Sequence, residues 1–162
     1  MFASVLSAAI FGMEVCPIQV EADVSNGLPS FTMVGYASAQ VKEAQERVRT
    51  ALKNSGVALP PRRITVNFVP ADIKKEGAGF DLPVAAAVLA ASGMLKPELL
   101  KDVMMVGEGS LNGEIHPVSG ILPRVIHAGE TGLRFCVIPF GNLKEGLLVK
   151  NINVMGVRTL KE

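Results

Sequence analysis

Lys74-Lys75-Glu76-Gly77-Ala78-Gly79-Phe80-Asp81-Leu82-Pro83 joins a basic pair to an apolar helix through a glycine-bearing loop. Backbone amides beside glycines at a helix N-terminus can cradle a phosphate. Here Asp81 stands where an N-cap belongs. A carboxylate in that place satisfies the first helical amides and repels an anion. The phosphate loop G-x-x-x-x-G-K-[ST] occurs nowhere in the chain. The stretch therefore reads as a cap and turn at the head of a core helix. Leu82 to Ser92 is apolar around its whole circumference, which predicts a helix inside the domain, and Gly93 ends it.

Working outward, the segment before the loop alternates. Ile64, Val66 and Phe68 interleave with Arg63, Thr65 and Asn67, the pattern of a strand buried on one face. Ala39 to Asn54 is amphipathic, with Val41, Ala44, Val48, Ala51 and Leu52 on one stripe. Ser38 is its expected N-cap and Gly56 its stop. Lys42/Glu46 and Glu43/Arg47 are opposite-charge i,i+4 pairs on the wet side. Arg47, Arg49 and Lys53 leave its C-terminal half basic, which suits the helix dipole. Phe2 to Phe11 and residues 15–25 read as strands. Asn26-Gly27 predicts a tight hairpin turn with positive φ at both positions, and Phe31 to Val34 is the return strand. Met104 to Val106 and Ile115 read as the arms of a second hairpin around Asn112-Gly113. Ile121 to Ala128 and Asn142 to Lys150 read as helices, and Arg134 to Ile138 and Val154 to Thr159 as strands. Interleaved strands and helices with hairpins between them give an α+β class, a mixed-sheet α/β sandwich.

A chain of 162 residues with 49% hydrophobic content fits one domain, residues 1–162, with a substantial core. The net charge of +1 supplies no global basic field for nucleic acid. Without tryptophan and with one tyrosine, a multi-base stacking platform is not expected. Cys16 and Cys136 are far apart in apolar runs and read as buried free thiols of a reducing compartment. The apolar runs fall short of the roughly 20 residues that span a bilayer, and the N-terminus lacks a basic lead. The expected location is the cytoplasm, with no membrane partner.

Arg62, Arg63, Lys74 and Lys75 form the densest basic set and bracket the strand from Ile64 to Val69. They are the candidate nucleic-acid contact, with a solvated rim as the alternative. His116 and His127 have no ligand-spaced partner, so no metal site is expected. Ser110 and Ser119 lie outside any G-x-S-x-G elbow and suit turns or caps. Glu108 and Glu114 flank the same hairpin and read as cross-strand or surface charges.

Several motifs then occur in order. They include Ser25-Asn26-Gly27-Leu28-Pro29, Phe31-Thr32-Met33-Val34-Gly35, Val41-Lys42-Glu43-Ala44, Glu46-Arg47-Val48-Arg49 and Pro70-Ala71-Asp72. Lys75-Glu76-Gly77-Ala78-Gly79-Phe80-Asp81-Leu82-Pro83, Gly107-Glu108, Leu111-Asn112-Gly113, Pro117-Val118-Ser119-Gly120, Val137-Ile138-Pro139 and Val154-Met155-Gly156-Val157 continue the series. Across nearly the whole chain they resemble the N-terminal domain of the ComM/YifB family, the magnesium-chelatase-like or competence-protein-like AAA+ ATPases.

The resemblance implies a Lon-protease proteolytic-domain-like fold, shared with a ribosomal-protein domain. It also implies a longer protein whose AAA+ module carries the Walker motifs absent here. ATP and magnesium would belong to that module, and this fragment would hold no cofactor. The implied partners are the protein's own AAA+ module, further copies in a hexameric ring, and DNA. The implied role is DNA processing, as a branch-migrating helicase in natural transformation. Lon-type peptidases use a Ser–Lys dyad. Laid on this chain, the serine position falls on Gly79 and the lysine position on Leu122. Glycine has no oxygen to attack with and leucine accepts no proton, so no catalytic residue is expected. The alternatives are a peptidase whose dyad is displaced onto Ser110 or Ser119 with Lys74 or Lys75, and a stand-alone nucleic-acid module.

Overall fold

The structure is a computed structural model, and it describes residues 1–161. β1 (Phe2–Phe11) and β2 (Glu14–Ser25) form a long antiparallel hairpin, with Phe2 opposite Asp23 and Phe11 opposite Glu14. The alternation in β2 has the expected consequence: Ile18, Val20, Ala22 and Val24 are all buried. β3 (Ser30–Val34) and β4 (Arg63–Val69) follow, with α1 (Ala39–Lys42) and α2 (Ala44–Asn54) between them. After α3 (Asp81–Ala91) come β5 (Val103–Met105), β6 (Glu108–Gly109) and β7 (Ile115–His116). The chain closes with α4 (Ile121–Glu130), β8 (Phe135–Pro139), α5 (Leu143–Gly146) and β9 (Asn153–Val157). The main sheet has the order β3-β4-β2-β1-β5-β8-β9, and β6 pairs only with β7. The β1–β2 and β2–β4 pairs are antiparallel, and the remaining pairs of the main sheet are parallel. The domain is a mixed α/β sandwich.

Helices cover both faces near the middle of the sheet. Val5 and Ala9 of β1 join the core under α2 and α3, whereas Ala8, on the opposite face, joins Ile121 and Val125 of α4 with Cys136 and Ile138 of β8. Strands buried on both faces read as continuous apolar runs, which is why β1 lacks the clean alternation of β2. α3 sits deepest: every residue from Asp81 to Ala91 is buried except Leu89. Its helix therefore has no polar face to show. Phe80 precedes it and meets Phe68 edge-on, with ring centroids 5.4 Å apart. Burying a side chain of this kind contributes about 1.5–3 kcal/mol, so this pair anchors the glycine loop to β4.

The structure corrects several sequence-based expectations. β3 is not the return strand of a hairpin with β2. It pairs parallel with β4, which lies between the two. Only Gly27 of the turn dipeptide has positive φ, at 153°. The long helix divides at Glu43 into α1 and α2, although Ser38 caps it as expected, accepting from the Val41 amide at 3.2 Å. The second hairpin has β6 and β7 as its arms, while β5 belongs to the main sheet. α5 is much shorter than expected, with a 3-10 turn at Phe140–Asn142 before it. Cys136 is buried and Cys16 only half-buried, and both thiols are free.

Candidate functional site

The glycine loop is tied by backbone hydrogen bonds to the segment between β5 and β6. Gly107 donates its amide to the Gly79 carbonyl at 2.9 Å, and Leu82 donates to the Gly107 carbonyl at 3.0 Å. A Cβ at Gly79 would meet the Val106 Cγ1 at 3.2 Å. Facing the loop is the turn that starts α4. Between them lies a cleft of about 220 Å³, lined on one side by Glu76 to Phe80 and on the other by Pro117, Val118, Ser119 and Arg124. The fold thus brings together the two segments on which the Lon resemblance lays its dyad, some forty residues apart in sequence.

Neither a serine nor a lysine stands at the two positions on which the Lon resemblance lays its dyad. Gly79 lies on the cleft wall, and Leu122 is half-buried in the first turn of α4. The cation present is Arg124, which the sequence reading missed. Its Nε donates to the Ala8 carbonyl at 3.1 Å, and its Nη1 donates to the Ser119 and Gly120 carbonyls at 2.9 and 3.3 Å. Burial pushes the guanidinium pKa down. A guanidinium remains protonated at any pH a protein tolerates, so Arg124 braces the turn and cannot serve as a base. Gly120 makes the brace possible: its φ is 76°, and a Cβ there would strike the Ile10 Cδ1 at 2.6 Å. The signal that could have found Arg124 is its place four residues after Gly120, one helical turn on.

Asp81 is the first residue of α3 and not its cap. Phe80 holds the cap position, without a side-chain hydrogen bond. The Asp81 carboxylate, 2% exposed, turns to other elements. Oδ2 accepts from Arg47 Nε at 2.8 Å and from the Gly109 amide at 2.9 Å, and Oδ1 accepts from Arg47 Nη2 at 3.0 Å. One bidentate pair therefore ties α2, α3 and β6 together. Burial pushes the Asp81 carboxyl up, opposed by Arg47 and Gly109. The hydrogen bond to Asp81 raises the Arg47 guanidinium in turn. Arg47 also meets Glu43 at 3.3 Å, the expected i,i+4 pair.

The candidate nucleic-acid residues are divided. Arg62 and Arg63 are exposed at the start of β4, and Lys74 is exposed beyond its other end, 3.5 Å from Glu76. The length of β4 puts roughly 20 Å between the two groups, at about 3.3 Å per residue. Lys75 is 0% exposed. Its Nζ donates to the Gly35 carbonyl at 2.6 Å and to the Pro70 carbonyl, while its backbone pairs with Tyr36 and Ser38. Burial pushes its ammonium pKa down, opposed by Asp72. Lys75 is thus withdrawn from any surface contact and instead pins the loop before α1 to the loop after β4. Neither Lys74 nor Lys75 meets Ser110 or Ser119. Ser110 closes the β6–β7 turn through its backbone, and Ser119 is exposed. His116 is exposed and His127 half-buried, and the described residues hold no cluster of metal-ligating side chains.

Residues 20–142 match the family described as subunit ChlI of Mg-chelatase. Competence protein ComM of Haemophilus influenzae is 42% identical over 98% of this chain, and YifB of Escherichia coli is 41% identical over 86%. The chain belongs to the magnesium-chelatase-related ComM/YifB family. It spans 31% of the length of that ComM and 28% of that YifB. Lon protease 2 of Bacillus subtilis is 30% identical over 76% of the chain, which spans 22% of that protein. The ComM/YifB-family domain thus shares the Lon-like scaffold.

Proposed function

We propose that this domain is a non-catalytic accessory module of a ComM/YifB-type AAA+ ATPase that acts in DNA processing. The carrying observation is the cleft. It has the two loops of a Lon-like site, but Gly79 and Leu122 stand at the dyad positions and Arg124 spends its donors on backbone carbonyls. In this reading ATP and magnesium are bound by an AAA+ module of the full-length protein. That protein assembles as a ring, a hexamer, and works as a branch-migrating helicase in the cytoplasm. The domain contacts its own ATPase module, a neighbouring subunit, or DNA. The DNA contact falls to Arg62, Arg63 and Lys74, because these three are exposed and Lys75 is not.

Two assays on the purified chain test this. With fluorogenic peptides and with ATP, the expected turnover is none. Peptide cleavage lost on replacing Ser110 or Ser119, or robust ATP hydrolysis, overturns the accessory reading. For the DNA contact, duplex binding should weaken as salt rises, and each of Arg62, Arg63 and Lys74 neutralised should lower the salt slope by about 1. A slope unchanged by all three substitutions removes DNA from these residues.

A further inference from the structure

A groove of about 480 Å³ opens between the C-terminal half of α2 and the loop that leads into β4. Its floor is apolar: Val57 and Leu59 pack against the main core, and Ile64 of β4 is buried beneath. Its rim carries Arg49, Lys53 and Arg62, and no carboxylate lines it. Among the described residues these cations form no ion pair, whereas Arg47 and Lys74 each have a carboxylate partner. Arg49 lies over the Phe31 ring, 5.6 Å from its centroid, which holds the guanidinium in place. Arg49 and Lys53 are one helical turn apart on α2 and face the same way.

The walls are preformed. The Val57 amide donates to the Leu52 carbonyl at 2.9 Å, the Arg62 amide to the Pro60 carbonyl at 2.8 Å, and the Ser30 amide to the Arg62 carbonyl at 3.4 Å. Pro60-Pro61 stiffens the wall between them. A groove already ordered costs a ligand little conformational entropy. Leu28, 85% exposed, extends the apolar surface beside Pro29.

From this we propose that the groove is a docking site for an acidic peptide segment with aliphatic anchors. The anchors would cover Val57, Leu59 and Ile64, and the flanking carboxylates would pair with Arg49, Lys53 and Arg62. Charge complementarity together with the apolar floor selects this occupant. A nucleic-acid backbone offers phosphates but no aliphatic group for the floor, and the lining has no aromatic ring on which a base could stack. The inference stands apart from the DNA reading, which rests on Arg63 and Lys74 as well as Arg62.

The test is fluorescence anisotropy of the full chain with a labelled short peptide in which glutamates flank two leucines. The wild-type chain binds it saturably. Arg49→Glu with Lys53→Glu weakens binding at least about tenfold, which corresponds to about 1.4 kcal/mol, and replacing both leucines by serine does the same. Arg62→Ser, a milder surface change, weakens binding in the same direction, and circular dichroism melts show that the variants stay folded. Three results each overturn the proposal: no saturable binding by the wild-type chain, equal binding by the charge-reversed chain, or equal binding of the serine peptide. A labelled DNA duplex is the comparison ligand. Loss of duplex binding on Arg49→Glu with Lys53→Glu, without any peptide binding, assigns the groove to nucleic acid and also overturns it.

Discussion

Arg47→Met should cost about 3–5 kcal/mol of folding stability, the range for breaking a buried ion pair by removing one partner. The reason is the asymmetry of the pair. Asp81 is 2% exposed, whereas the Arg47 side chain retains 21% of its exposure. Without the guanidinium, the carboxylate keeps one hydrogen bond, from the Gly109 amide at 2.9 Å. Asp81→Leu with Arg47→Met removes both charges, and such double replacements are often neutral or better. The double variant should therefore recover most of the loss, within about 1–2 kcal/mol of wild type. Urea unfolding of the two single variants and the double variant, followed by circular dichroism, closes the cycle. pH supplies a second readout. Burial already pushes the Asp81 carboxyl above its ordinary value, and loss of Arg47 pushes it further. A carboxyl raised in the folded state favours folding below its unfolded value of about 4 and loses that contribution as pH rises through the folded value. The deficit of Arg47→Met should thus be smaller near pH 4 than at pH 7. A cost below about 1 kcal/mol, the level of a surface pair, or a deficit that does not change with pH, refutes the reasoning.

Lys75, Cys136 and Gly79 give the further predictions. Lys75→Met leaves the Gly35 and Pro70 carbonyls without their donor and should cost about 2–6 kcal/mol in urea unfolding, at roughly 1–3 per unsatisfied group. Because burial lowers the Lys75 ammonium pKa, the unfolded chain binds more protons between the folded value and 10.5; wild type should gain stability relative to Lys75→Met as pH rises through that window. Cys136, buried and pushed up to about 12, should resist a thiol reagent at pH 8 in the native state, while the half-buried Cys16 reacts; counting thiols before and after denaturation checks this. Gly79→Ser should lower stability by about 1–3 kcal/mol by crowding Val106, and should not react with a serine-directed fluorophosphonate, since no base stands at Leu122.

Particular residues show how far the sequence could be read. The alternation of Ile18, Val20, Ala22 and Val24 placed β2, and the uniform apolarity of Leu82 to Ser92 placed α3 in the core; both patterns are set by neighbours a few residues away. β3 was legible as a strand but not as a partner of β4. Alternation says which face is buried but not which edge is paired. Asp81 looked like a cap because capping rules see only the first turn, and they are blind to a guanidinium 34 positions upstream.

The candidate site divides along the same line. The resemblance lays the dyad on Gly79 and Leu122 from motif order alone, because the identity of a side chain is a property of the sequence. That the two segments meet across one cleft, with Arg124 bracing the turn, depended on how β1, α3 and α4 pack.

By itself, then, the sequence determined most of the strands, the core helix and the family, all of which are carried by local order along the chain. Only the tertiary structure decided which charges are buried and which are free. Lys75 disappears inside while Arg49, Lys53 and Arg62 share one groove, because solvation is settled by segments that are distant in sequence and become neighbours only after folding.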